Sequence, residues 1–505
     1  MAHAVAIPSR TAAEYRGLPF WMKRTVEALG EVRSELTTDT VHDLRVALRR
    51  CRSIAAAMEE IDPHPDWREM RGCARKLFRA LGELRDADVI AEWLDKLHPE
   101  EEELKRQMLE GLGNVQKTAR DKASRSAARF DGKRWKKLSR ALGARMRRVP
   151  LDGDAAHCLG LERLEEAKEL HRRAMRTESA KPWHALRIGV KRFRYTAEAL
   201  LPTAHEEWSE SLKRVQDVLG NIHDLDMLAQ MLKQTSAEPA AATSVDWKTR
   251  VASERQKNVE TYRQLALGTA GIWSAWFAGF PRESWERYAE GRIRATRAAM
   301  DGKPARSGAV ARLAMRIWSQ LGARKLGAVF SDKKERRVLQ TAARLSGIRD
   351  PNVRRAREKS ARTFLLQSPV PPRWTFAEWE RAAWAIRFQR GVEPGQRNKQ
   401  FAKLSAEQQA KICLLAGILR LAIAAQKSGV TAGSALRCEV LPQGLLLRVG
   451  GAEDSPKNAA RFAAAKRLLE RSLGKSILIQ AEAAEGVLAE RKTRKEAPLA
   501  ISIVR

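Results

Sequence analysis

The chain has 505 residues, 44% hydrophobic and 31% charged, with a formal net charge of +33. At roughly 150 residues per folding unit this length makes about three units or two larger ones, and the apolar share is enough for packed cores. A charge of this sign and size excludes an acidic, self-solvating chain and points to a polyanionic partner: nucleic acid, an anionic membrane surface or polyphosphate.

Both parts are basic, with about +10 in residues 1–300 and +23 in residues 301–505. No apolar run approaches the ~20 residues of a spanning helix, so no membrane partner is expected. The opening MAHAVAIPSRTAAEY has no basic start followed by a long apolar stretch, so no secretory leader is expected. Five cysteines without a CxxC pair argue against a disulfide framework and for a reducing, cytoplasmic setting.

In chain order, residues 12–300 read as helix, with apolar residues recurring at three and four and no alternating runs. IDPHPD at 61–66, RVPLDGD at 148–154, SAKP at 179–182 and AEPAAATS at 237–244 punctuate them. LHPEEEELKRQ near 100 reads as an acidic outer helix. A repeat lies within this region. VHDLRVALRRCR at 41–52 aligns without gaps with WHALRIGVKRFR at 183–194, and LGELRDADVIAEWL at 81–94 aligns with LGNIHDLDMLAQML at 219–232. The chain is thus expected to hold two helical halves, about 12–150 and 151–295.

On a helix of ~100° per residue, His42, Arg45, Arg49 and Arg52 share about a quarter turn, and Leu44, Leu48, Cys51, Ala55 and Met58 take the opposite side. His184, Arg187, Lys191 and Arg194 repeat the stripe against Leu186, Val190, Phe193 and Ala197. Like charges at these spacings repel by a few tenths of a kcal/mol per pair, so folding alone gives no reason for them, whereas an anion between them does. A guanidinium fork matches two phosphate oxygens, and lysine and histidine add point charges. The bland alternative pairs these cations with Asp86, Asp88, Asp224 and Asp226. Those aspartates would then orient arginines, or in a further reading hold a metal.

The doubled motif H-x-L-R-x-x-x-(R/K)-R-x-R, each copy followed by LG-x-x-x-D-x-D, resembles the CHAD domain (conserved histidine α-helical domain) over about residues 12–295. The resemblance implies two four-helix halves related by a pseudo-twofold axis, with inorganic polyphosphate bound in a basic channel between them. By position it implies His42, Arg45, Arg49, Arg50 and Arg52 from one half as ligands, and His184, Arg187, Lys191, Arg192 and Arg194 from the other. Lys76, Arg79 and Lys213 are further candidates on the following helices. Arg85 in the first half is His223 in the second, a departure from the repeat. The ExExK start of the triphosphate tunnel enzymes that accompany such domains does not occur in this chain.

Residues 305–485 read as an α+β module. Two helices are expected in 307–350, others at 374–391 and 404–427, a hairpin around Pro442-Gln443-Gly444, a further helix, and a strand at 475–481; 486–505 reads as a basic tail. GVEPGQRNKQ at 391–400 reads as a surface loop. The helix order, the Arg387-Phe388-Gln389-Arg390-Gly391 loop and LSAEQQAKICLLAGILRLA resemble the C-terminal domain of exopolyphosphatases and guanosine pentaphosphate phosphohydrolases, which is related to HD-type phosphohydrolases. Where those relatives place a His-Asp pair this chain has Ser346-Gly347, a later histidine is Gln389, and no histidine follows His223. Serine, glycine and glutamine do not make a hydrolytic metal site, and no P-loop is present.

The expectation is therefore a mostly α protein with a duplicated CHAD-like domain and a degenerate HD-type module. It binds polyphosphate without catalysis, cofactor or metal, in the cytoplasm at polyphosphate granules, with polyphosphate-metabolising enzymes as candidate partners. Arg312, Arg316, Arg387, Arg390, Arg397 and Lys399 would extend the surface. Two alternatives stand. A nucleic-acid-binding protein is permitted by the charge and 14 tryptophans, but the stripes lack interleaved aromatics; weak nucleic-acid binding is expected in any case. A metal-dependent polyphosphate hydrolase would use the Asp86 and Asp224 motifs.

Overall fold

The computed structural model describes residues 17–98, 103–235, 241–268, 271–301, 304–348, 357–391, 393–395, 398–431, 436–453 and 455–482. The chain divides into two compact units, Met1–Ala295 and Thr296–Arg505.

In the first unit the order is α1 (Leu18–Ser34), α2 (Thr38–Ile61), α3 (Pro65–Leu97), α4 (Glu103–Ala128), α5 (Gly132–Met146), then α6 (Asp154–Ala174), α7 (Ala180–Leu200), α8 (Pro202–Thr235), α9 (Ala241–Ala266), the short α10 (Ile272–Ala278) and α11 (Trp285–Asp301), whose residues from Thr296 on belong to the second unit. The duplication is visible as α1–α4 followed by α6–α9. Each half carries more than the four helices implied by the resemblance. α5 closes the first half against α1 and α3, and α11 is tied to α6 by Arg287–Asp154 (3.0 Å) and Arg292–Glu162.

The breakers act as their chemistry dictates. Thr37 caps α2 reciprocally with Thr40: Thr40 N–H donates to Thr37 Oγ1 (3.2 Å) and Thr37 N–H to Thr40 Oγ1 (3.0 Å). Asp62, just past α2, accepts from Trp67 Nε1 (2.9 Å) and pairs with Arg145 of α5, which fixes the α2–α3 corner. The part of 237–244 before Ala241 lies outside the described residues, as do Pro99–Glu102 of the acidic stretch near 100.

Most of the core is one cluster reaching across both halves, with Trp67, Trp135, Trp183 and Trp276 fully buried. A second cluster joins the far ends of α3 and α8 to α4 and α9 through Trp93, Leu94, Met108, Leu225, Leu228 and Trp247. Leu84 belongs to the first cluster and Ala87 to the second, so the Asp86 position lies at the seam between them. α2 packs on α7 and α3 on α8.

The second unit holds α12 (Pro304–Ala323), α13 (Lys333–Arg344), α14 (Arg357–Gln367), α15 (Phe376–Arg387), α16 (Lys399–Ala402), α17 (Ala406–Lys427), β1 (Leu436–Leu441), β2 (Gly444–Gly450), α18 (Pro456–Leu473) and β3 (Ser476–Glu482). The hairpin and the late strand form a sheet ordered β1-β2-β3, antiparallel then parallel. α14 was not foreseen: its polar sequence, REKSARTFLLQ, gives only a weak apolar stripe.

The expectation of no spanning-length apolar run needs correction. α17 is long and apolar enough to cross a membrane by composition, and 72% of its most apolar window is buried inside the unit. It is the core helix against which α12, α15 and α18 pack. Gly417 lets α18 approach, since a Cβ there would lie 2.9 Å from the Leu469 backbone. Buried Arg420 donates to Phe388 O (2.8 Å) and Glu393 Oε1 (2.7 Å). The 486–505 tail lies outside the described residues.

Candidate functional site

The two stripes meet. α2 and α7 cross so that cations of both halves share one region. Lys191 feels the charges of Arg187 on its own helix, of Arg45 and Arg49 on α2, and of Asp224 on α8. Asp86 on α3 feels Arg45, Arg187, Lys191 and Arg85. Asp224 feels Arg187, Lys191, Asp86 and Arg85. Four cations (Arg45, Arg85, Arg187, Lys191) thus face two carboxylates, and Arg49 extends the positive cluster from Arg45, Arg187 and Lys191 to Arg194.

Charges this crowded perturb one another. Burial, then neighbouring Arg187 and Arg49, push the Lys191 ammonium down to about 7. Burial is also the first cause lowering Arg45, Arg187 and Arg194. Asp86 keeps water-accessible surface yet is ringed by protein, and that loss of bulk solvent raises its carboxyl despite the arginines.

The guanidinium groups are held by stems and rings more than by carboxylates. Arg45 and Arg52 lie over Phe78 at 5.6 and 4.5 Å, and Arg49 and Arg50 over Tyr195 at 5.9 and 5.8 Å. Arg45 Nη1, Arg49 Nε, Arg187 Nε, Arg194 Nε and the Tyr195 hydroxyl are buried with no hydrogen-bond partner among the described residues. A buried donor left this way costs about 1–3 kcal/mol, so the arrangement is a poor solution for folding.

The aspartate pairs divide their work. Asp88 accepts from Gln116 of α4 (2.8 Å) and Asp226 from Arg255 of α9 (2.7 Å), so the second aspartate of each motif ties its helix to the next. Asp86 and Asp224, the first of each pair, face the arginines. No group of three or more metal-ligating side chains is assembled among the described residues.

Not every candidate joins this cluster. Arg50 forms an ion pair with Glu198 across the halves, and Arg192 pairs with Glu166 at 2.8 Å. Both sit off the stripe. Arg194 also donates to Gln216 (3.0 Å). His184 Nδ1 lies 3.2 Å from His223 Nδ1, and burial lowers both rings. His42 and Lys213 are exposed. Lys76 lines a separate cleft, and Arg79 stands near Arg52 on the outside. Sequence reasoning missed Tyr195 as a contact residue, because its repeat position is Ser53 and the duplication carries no signal there.

Gly82 of the first LG motif has a steric reason: a Cβ would lie 3.1 Å from Arg45 Nη1, whereas at Gly220 nothing lies within 4 Å. Gly82→Ala and Gly220→Ala should each gain about 0.5–1 kcal/mol of helix stability. Only Gly82→Ala should weaken anion binding, by several-fold, because Arg45 must move. Parallel melting curves and titrations check this.

Residues 23–233 match the family model of the CHAD domain. The CHAD segment begins within α1 and ends within α8, so it contains every helix of the central cluster. It covers less than half the chain and does not reach the second unit. The chain is also similar to a solved structure, the CHAD domain from the plant Ricinus communis, at 23% identity and a TM-score of 0.34, over 55% of this chain and 96% of that one. A search of curated proteins finds no match.

In the second unit, the positions where the exopolyphosphatase resemblance would place metal ligands do come together, but as a hydrogen-bonded core. Gln389 is 2% exposed and accepts from the Gly347 N–H (3.1 Å), and Ser346 O accepts from Arg297. Arg397 lies outside the described residues.

Proposed function

We propose that this chain binds inorganic polyphosphate at the cluster between α2 and α7, without catalysing its hydrolysis. The observation that carries this reading is the set of buried, unpartnered guanidinium edges contributed by both halves. A linear chain of phosphates supplies acceptors for several forks at once. The CHAD segment supports the same ligand class through the family resemblance.

Polyphosphate is favoured over nucleic acid because the aromatic rings beside the cations, Trp21, Phe78 and Tyr195, already carry guanidinium groups on their faces and offer no free platform for bases. Against the hydrolase reading, Asp86 and Asp224 each face arginine. In the second unit Gln389 and the Ser346 carbonyl are committed to internal hydrogen bonds, which argues against a metal site at those positions. The protein would act in the cytoplasm at polyphosphate granules, coating the polymer or presenting it to metabolising enzymes, and it needs no cofactor.

The test is calorimetric titration of the full chain with long-chain polyphosphate at ~0.15 M salt, a physiological ionic strength, with tRNA as competitor. Binding that survives excess tRNA is expected. Displacement of polyphosphate by equivalent tRNA, or no binding at all, overturns the reading.

A further inference from the structure

The two halves differ outside the central cluster, and the difference is one of charge. Phe78 carries Arg45 of the cluster on its ring at 5.6 Å and Arg52 at 4.5 Å, so one side chain links inside to outside. Arg52 in turn feels Arg71, Arg75 and Arg79 along α3. Arg71 is paired with Glu59 (2.5 Å). Arg52, Arg75 and Arg79 have no hydrogen-bond or ion-pair partner among the described residues, and Arg75 and Arg79 are exposed. One residue further round α3, Lys76 enters a cleft of about 510 Å³ against α4, whose wall adds Lys122, Arg125 and Arg129. The acids nearby are few and engaged: Glu83 with Lys122 (3.1 Å), Asp131 capping α5.

The second half has no such path. The LG motif aligns Arg68, Arg71, Arg75, Lys76 and Arg79 with Glu206, Ser209, Lys213, Arg214 and Asp217. A basic face has become a mixed one on the equivalent helix. A polyanion held in the cluster therefore meets continuing positive charge on one side only.

We infer that a polyphosphate chain leaves the cluster in one direction, over Arg52, Arg75 and Arg79 and into the α3–α4 cleft, which is a second binding surface. This rests on the proposed function, and makes the protein a directional rather than a symmetric holder of the polymer. Short phosphates fill the cluster alone; long chains gain the outer track.

The experiment compares tripolyphosphate with long-chain polyphosphate on the full chain. Arg75→Glu/Arg79→Glu is expected to weaken the long chain at least about tenfold and to leave tripolyphosphate within twofold. Lys213→Glu/Arg214→Glu, at the repeat positions of Arg75 and Lys76, should leave both unchanged. The neutral pair Arg75→Gln/Arg79→Gln should lower the slope of log affinity against log salt by up to about two, one per lost contact. All four residues are exposed, and thermal melts confirm that the variants fold. Equal long-chain losses on both sides, or none on the α3 side, would overturn the track. Wild-type protein that binds neither ligand would instead remove the polyphosphate reading itself.

Discussion

Arg45→Met together with Arg187→Met is expected to lower affinity for long-chain polyphosphate by about 10²–10⁴-fold while leaving the ligand-free protein as stable as before, or more so. The binding loss follows from two charge-assisted hydrogen-bonding groups at ~1.5–3 kcal/mol each, with every 1.4 kcal/mol worth about tenfold. The stability result follows from the same geometry read in the other direction. Arg45 Nη1 and Arg187 Nε are buried without partners, so the charges are a burden on the empty fold. Methionine keeps the apolar stem, including the packing on Phe78, and removes the desolvated charge. Titration and thermal melting read the two effects separately. A binding loss under threefold would rule out the cluster as the main site, and a marked drop in melting temperature would make these arginines structural.

Affinity for polyphosphate is expected to fall as pH rises from 7 to 9, by up to about tenfold per unit, the limit for uptake of one proton. Lys191 is the source. Its ammonium is pushed down to about 7 by burial and by Arg187 and Arg49, with Arg45 adding to this and Asp224 opposing it. A bound polyanion restores the charged form, so above pH 7 binding must take up the proton. Stability of the free protein moves the other way. The unfolded chain keeps the proton to about 10.4, so across that window the unfolded state binds more protons and folding gains as pH rises. Interior phosphates stay ionised throughout, and the lowered His184 and His223 carry no charge there. Lys191→Arg should flatten the binding profile. A wild-type profile already flat between pH 7 and 9 would sink this account.

The azimuth of each basic residue was legible in the sequence, because side-chain direction on a helix follows from position number alone. Arg45, Arg49, Arg187 and Lys191 are therefore where the stripe put them, and the duplicated motif implied that two stripes would face each other. The apolar faces, the corners at Asp62 and Gly153, and the hairpin around Pro442 are local properties of the same kind. What an azimuth does not contain is the identity of the element that crosses it. Arg50 and Arg192 occupy equal positions in the repeat, yet one meets Glu198 from the other half and the other Glu166 from a neighbouring helix. Asp86 and Asp88 are two residues apart on one helix, about 200° round it, so one faces arginines and its neighbour ties down α4.

The same limit explains α17, whose composition alone fits a membrane as well as a core, and Gln389, whose partner Gly347 lies 42 residues earlier. It also explains the outer track, which exists only because Phe78 stands between two arginines of another helix. The sequence determined most helices and strands, α14 excepted, the duplication and the sign of the chain's own charge, since these depend on spacing and composition. The tertiary structure decided which cations stay unpaired, which carboxylates neutralise the others, and on which side positive charge continues, since these depend on helix crossings that no local period encodes.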